Sequence, residues 1–187
     1  MFKKIVISFL IIAFLAMAGG GFYWWQANQA VAGLNKSLPS GVKVVKSLFR
    51  RDYTVVNKID GYEFKVPKAW GGIEEIEHVP ERTEGDYTAA SISVKGKDGW
   101  SRLVTIDRFK VDKLKDLESW AKINFESFGL TGDFSKDKIG YLEIVKSQEN
   151  IHLGGMYVYF FEGDLSVYAI TNGSEEFIQE IILNGKW

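Results

Sequence analysis

Apolar and polar positions follow three rhythms along this chain. The first is an unbroken apolar run, Ile5–Trp25, with no charged residue. The second is a period of two. Tyr62, Phe64 and Val66 alternate with Glu63 and Lys65, and "TAASISVKG" and "SRLVTIDRF" behave alike. Side chains on a strand point alternately to opposite faces, so each such segment predicts a half-buried strand. The third is a helical period. Leu114, Leu117, Ala121, Phe125 and Phe128, with Trp120 beside them, predict an amphipathic helix over about 113–128, capped by Asp112 and closed by Gly129. A second helix is predicted in "SEEFIQEIILNG", where Phe177, Ile178, Ile181 and Ile182 share a face and acids occupy the first turn.

Between these elements the chain reads as short strands. "GVKVVKSLF" and "DYTVVNKI" are rich in β-branched residues and lead to a turn at Asp60-Gly61. Pro67 ends the following strand. "GGIEEIEHV" breaks strict alternation, which predicts a bulge or a bend. Leu103, Thr105 and Asp107 oppose Val104, Ile106 and Arg108 in the second arm of a hairpin. Three further strands, "KIGYLEIVKS", "IHLGGMYVYFFEG" and "LSVYAITNG", precede the last helix. Consecutive strands joined by short turns imply an antiparallel sheet with helices packed on it, so the fold class is α+β rather than doubly wound α/β.

The N-terminus sets the organisation. Residues 5–25 as a helix span roughly 30 Å, the thickness of a hydrocarbon core. Lys3 and Lys4 precede the run, which orients the N-terminus toward the cytoplasm and sends the rest across. Tyr23, Trp24 and Trp25 suit the outer interface. Two readings stand. In one, Ile5–Leu15 is the core of a signal peptide cleaved after Ala18 at "AMA", giving a secreted protein. In the other, which the extra "GGGFYWW" favours, the run is an uncleaved anchor. Residues 1–26 are therefore the anchor or signal peptide and 27–42 a stalk or linker. Residues 43–187 form the globular domain.

Composition narrows the classes. With 46% hydrophobic and 25% charged residues, the chain is that of an ordinary globular protein. A net charge of −1 and the absence of a basic stripe speak against nucleic acid as a partner. There are no cysteines, which excludes disulfides, a thiol nucleophile, Cys-ligated zinc and lipid attachment through a lipobox.

Candidate chemistry is sparse. The chain has two histidines, His78 and His152. His78 lies among acids in "EEIEHVPE", where Glu75 and Glu77 share a strand face and could meet a hard cation such as Ca²⁺. No tight oxygen-rich loop supports that site, and a solvated acidic edge is the plainer account. "MYVYFFEG" places Tyr157 and Tyr159 on one strand face and Val158 and Phe160 on the other. They form either a binding platform or ordinary core. No GxSxG elbow, GxGxxG or GK[ST] loop is present. Glu75, Glu77, His78, Tyr157 and Tyr159 are the contact candidates. No catalytic, cofactor-binding or metal residue is assigned.

From Asp60 to Trp187 the order of motifs resembles a family. "GYEFKVPKAW" opens it; "LKDLESWAKINFESFG" and "GYLEIVKS" follow, and "MYVYFFEGDLSVYAITNGSEEFIQEIILNGKW" closes it. This is similar to the PsbP-like fold of the extrinsic photosystem II subunit, the Ran-binding import factor and small exported bacterial proteins. The resemblance implies an α/β/α sandwich and a non-enzymatic accessory role. The expectation is a single-pass extracytoplasmic module, held in lipid by residues 5–25, that binds or helps assemble another envelope protein without a cofactor. The alternative is an exported domain for a small ligand or divalent cation.

Overall fold

A computed structural model describes residues 2–47, 52–84, 87–97, 103–111, 114–127, 132–149, 155–164 and 166–187. The chain is α+β. It opens with one long helix, α1 (Phe2–Lys36), followed by a three-stranded antiparallel meander of β1 (Val42–Lys46), β2 (Tyr53–Asn57) and β3 (Tyr62–Val66). A seven-stranded sheet follows, built from β4 (Ile73–Glu84), β5 (Tyr87–Gly96), β6 (Leu103–Lys110), β7 (Gly132–Ile139), β8 (Leu142–Glu149), β9 (Tyr157–Gly163) and β10 (Ser166–Asn172). Its order is β4-β5-β6-β10-β9-β8-β7, with every paired neighbour antiparallel. Helix α2 (Leu117–Ser127) interrupts the strand succession between β6 and β7, and α3 (Glu175–Asn184) follows β10.

The period-two pattern divides the large sheet's side chains between two cores. On one face Ile76, Ile92, Ile106, Ile144, Phe161 and Ile170 meet the inner residues of the meander (Val44, Val55, Phe64) and of α3 (Ile178, Ile181, Ile182). On the other face Phe109, Val145, Val158, Phe160, Val167 and Ala169 meet α2 through Ala121, Leu117 and Trp120. One helix therefore covers one face, and a helix with a small sheet covers the other. Burying a side chain such as Ile170 or Phe161, both 0% exposed, is worth about 1.5–3 kcal/mol.

Several expectations meet the structure directly. β3 alternates buried and exposed, then Pro67 ends it and a single 3₁₀ turn, Lys68–Trp70, places the Trp70 ring inside with 0% exposure. Gly71 stands in the left-handed region at φ 66°, which lets the chain reverse there without a Cβ penalty. β4 has register shifts between Ile73 and Glu75 and between Val79 and Arg82, where the alternation fails.

Other elements differ. "KIGYLEIVKS", expected as one strand, is the end of β7, a turn at Gly140-Tyr141, and most of β8. Gly140 has φ 60°, a turn conformation. β7 is an edge strand whose Asp133, Ser135, Lys136, Asp137 and Lys138 are exposed, so it carries almost no alternation to read. Helix α2 begins at Leu117, where Asp116 Oδ2 accepts the Ser119 N–H at 2.7 Å and so caps the first turn. Asp112, Gly129 and His152 lie outside the described residues. Leu114 and Leu117 pack on the second core as their spacing implied.

Residues 27–42, read from the sequence as a stalk, are helical to Lys36, and the helix end docks on the meander. Ala27 and Val31 are 8% and 4% exposed, and Leu34 and Leu38 pack on the main core. Val31 and Leu34 are three residues apart and Ala27 lies one turn earlier, so a helix brings all three to one face.

Candidate functional site

The most polar part of the interior begins in the β2–β3 turn. Asn57 Oδ1 accepts the N–H groups of Ile59 and Asp60 at 3.1 and 3.0 Å, a local turn closed by its own side chain. Asn57 Nδ2 donates to Asp60 Oδ2 at 2.6 Å. This aims the Asp60 carboxylate at the large sheet. There β4 supplies His78 and β6 supplies Arg108, each on the core-facing side because Ile76 and Ile106 precede them by two. His78 Nε2 lies 3.1 Å from Asp60 Oδ2, with side chains only 1% and 2% exposed. Arg108 Nη1 lies 3.6 Å from Asp60 Oδ1, and its Nε donates to Ser166 Oγ at 3.0 Å. Glu81 extends the chain of charges outward, 3.9 Å from Arg108 and 2.7 Å from Lys110 Nζ.

Two phenols border this network. Burial pushes the Tyr62 hydroxyl well above the usual phenol range; the Asn57 hydrogen bond opposes this and the Asp60 charge adds to it. Tyr168 is raised in the same way by burial, with the Arg108 guanidinium opposing. A carboxylate, an imidazole and a guanidinium are thus brought together from three elements and shielded from water. Each group answers another, so the arrangement joins the meander to the large sheet. With Asp60 and His78 so enclosed, a solute could reach the pair only if the two sheets parted.

Of the residues singled out in the sequence, only His78 belongs to this network. Glu75 and Glu77 share a face of β4 as expected, but both are exposed and point away from His78. Alternation along a strand makes their convergence impossible without a bulge between Glu77 and His78, and the register there is regular. Among the described residues no group of three or more His, Asp and Glu side chains is placed to hold a metal ion. Tyr159 is fully buried, and its hydroxyl donates to Glu175 Oε1 at 2.5 Å. Burial raises that hydroxyl, and the Glu175 bond adds to the effect. Lys146 lies 3.3 Å from the same Glu175 oxygen. Tyr157 is half-buried at the edge of the main core. The two tyrosines share a face, as read, and that face packs inward.

A second polar locus was not singled out by sequence reasoning. On the opposite face of the large sheet a cavity of about 370 Å³ is lined by Val79, Arg82, Tyr87, Ala89, Ser91, Asp107 and Phe109. Ser91 and Asp107 are directly paired across β5 and β6. Burial pushes the Asp107 carboxyl above the usual carboxylate range, and a hydrogen bond with the Ser91 side chain opposes that rise. Tyr87 and Phe109 meet edge to face, with centroids 6.0 Å apart. The available signal was an acid in "LVTIDRF" on the strand face that ends in Phe109. A larger groove, about 610 Å³, runs between the start of α2 and β7–β8. Of the charges that line it, Lys136 lies 3.5 and 3.3 Å from Asp116 and Glu118, and Asp137 lies 3.2 Å from Lys146.

Compared with family models, with curated proteins and with solved structures, the chain finds no match.

Proposed function

We propose that the chain is a membrane-anchored, extracytoplasmic domain that works as a non-enzymatic binding or assembly module, held close to the bilayer by a helix continuous with its core. The observation that carries this reading is the unbroken course of α1 from the apolar run into the domain. Ile12, Phe14, Leu15 and Met17 on it are 63–68% exposed, whereas Ala27 and Val31 farther along are buried against the meander. Apolar side chains left bare at this density require lipid or protein around them. Among the described residues no helix is long and apolar enough to cross a membrane. The apolar run itself begins at Ile5, and side chains up to Leu10 lie outside those described. A PsbP-like relationship is part of the same proposal. It is supported by the antiparallel sheet with helices on both faces, α2 on one and α3 on the other.

Such a helix fixes the domain's distance and tilt relative to the membrane, which suits presentation of a surface to a neighbouring membrane protein. Expression of the whole chain, carbonate extraction and N-terminal sequencing test the anchor. The expected result is an intact N-terminus in the membrane pellet, and a processed protein in the soluble fraction would overturn it. Crosslinking in intact cells tests the module. A stoichiometric envelope partner is expected, and recovery of the chain alone would count against the assembly role.

A further inference from the structure

We propose that the cavity on the α2 side of the seven-stranded sheet is a binding site for a small organic cation, a protonated amine or amidinium on a flat apolar body, seated on Asp107 and Ser91 beside the rings of Tyr87 and Phe109. The inference is independent of how the chain is anchored.

The strand pairing creates the space. Asp107 lies between Ser91 on β5 and Ala169 on β10, its direct partners across the sheet. Both are small, and so is Ala89, one step along the same face of β5. Side chains of ordinary core size there would fill the space above the carboxyl. Instead about 370 Å³ is left, within the roughly 300–1,000 Å³ typical of small-molecule sites. Among the described residues helix α2 contributes no side chain to its lining. Trp120 reaches Phe109, with centroids 5.3 Å apart, and Phe109 then forms the wall between the helix and the cavity.

The charge selects the occupant. A carboxyl on a strand face shared with Ala89, Ala169 and Phe109 is an expensive residue to place without a cation. Among the described residues no Lys, Arg or His forms an ion pair with Asp107. Arg108, its neighbour in sequence, points to the other face and serves Asp60, Ser166 and Glu81. Arg82, exposed and also lining the cavity, has contacts of its own. An anion is repelled by the floor of the cavity. A cation gains a half-buried carboxylate, an acceptor lone pair on Ser91, and a wall built of two aromatic rings, which attract positive charge as well as apolar surface. The Ser91 hydroxyl answers the Asp107 carboxyl without neutralising it, and titratable groups left in a cleft without a counter-charge cluster at binding sites.

The test titrates the detergent-solubilised full chain with benzylamine and, as the neutral analogue of the same shape, benzyl alcohol. Binding is followed by thermal shift and by amide chemical shifts at constant ionic strength. The expected result is a saturable response to benzylamine, little response to benzyl alcohol, and a weakening of about tenfold or more in Asp107→Asn, the loss of one charge-assisted contact. Ser91→Ala weakens binding less. The amides of Ser91, Asp107 and Phe109 should shift together along the wild-type titration, which needs no variant at all. Absence of a saturable response to benzylamine, an equal response in Asp107→Asn, or shifts confined to the exposed acids Glu74–Glu77 would overturn the proposal.

Discussion

Asn35 on α1 holds Val44 on β1 by both of its backbone groups: the Val44 N–H donates to Asn35 Oδ1 at 2.7 Å, and Asn35 Nδ2 donates to the Val44 carbonyl at 3.0 Å. β1 is the outer strand of the meander, so a side-chain amide stands here where another strand would otherwise pair. The contact blunts an open sheet edge and locks the long helix to the domain. Asn35→Ala leaves both groups of Val44 without their partner and should cost about 1–3 kcal/mol in urea unfolding of the solubilised full chain. Asn35→Asp keeps the acceptor but loses the donor and should fall between. Equal stability of all three proteins would show that the helix end is not coupled to the fold.

Trp70 makes a separate test of the hydrophobic core. Its ring is 0% exposed and meets Phe177 of α3 edge to face, 5.7 Å between centroids. Trp70→Ala opens a large cavity between β3 and α3 and should cost about 3–5 kcal/mol. The indole Nε1 is buried with no hydrogen-bond partner among the described residues. Trp70→Phe loses part of the volume but also removes that orphaned donor, so thermal unfolding should show clearly less than half of the alanine penalty. A phenylalanine penalty as large as that of alanine would mean the ring's shape, rather than its apolar bulk, is what the site requires.

The link between His78 and Asp60 calls for a double-mutant cycle. Removing His78 takes away one of the groups that answer the enclosed Asp60 carboxylate but leaves Asn57 and Arg108, so His78→Ala should cost about 1–3 kcal/mol. In an Asp60→Asn background the same change should cost less, because the carboxylate that His78 answers is gone. Additive losses, measured by chemical denaturation, would show that the two side chains contribute separately.

What could be read from the chain follows from whether its physics is local. The alternation around Phe64 and the stop at Pro67 are local patterns, and they carried through. The two faces of β9 were legible for the same reason, since Val158 and Phe160 alternate with Tyr157 and Tyr159. The Asp60–His78–Arg108 network was not legible, because its members are separated by 18 residues or more and meet only when one sheet packs on another. β7 was missed because an edge strand needs no apolar face. The docking of Ala27 and Val31 was missed because an alanine-rich helix shows too little contrast between its faces to distinguish a spacer from a packed end.

Asp107→Asn should make the protein more stable at neutral pH. Burial raises the carboxyl of the folded state above its value in the unfolded chain. Between those two values the folded protein holds a proton that the unfolded chain has released. Stability from this group is therefore fully present below the ordinary aspartate range, about 3.9, and is lost as pH rises through the folded value. Asparagine has the same shape and carries no charge at any pH, so the variant should be more stable than wild type at pH 7 and gain nothing at pH 3. Unfolding midpoints of wild type and variant across that interval measure the difference directly. A variant less stable than wild type at pH 7 would mean that the ionised Asp107 is already balanced by a cation inside the protein. That would leave its cavity with no charge to offer a ligand.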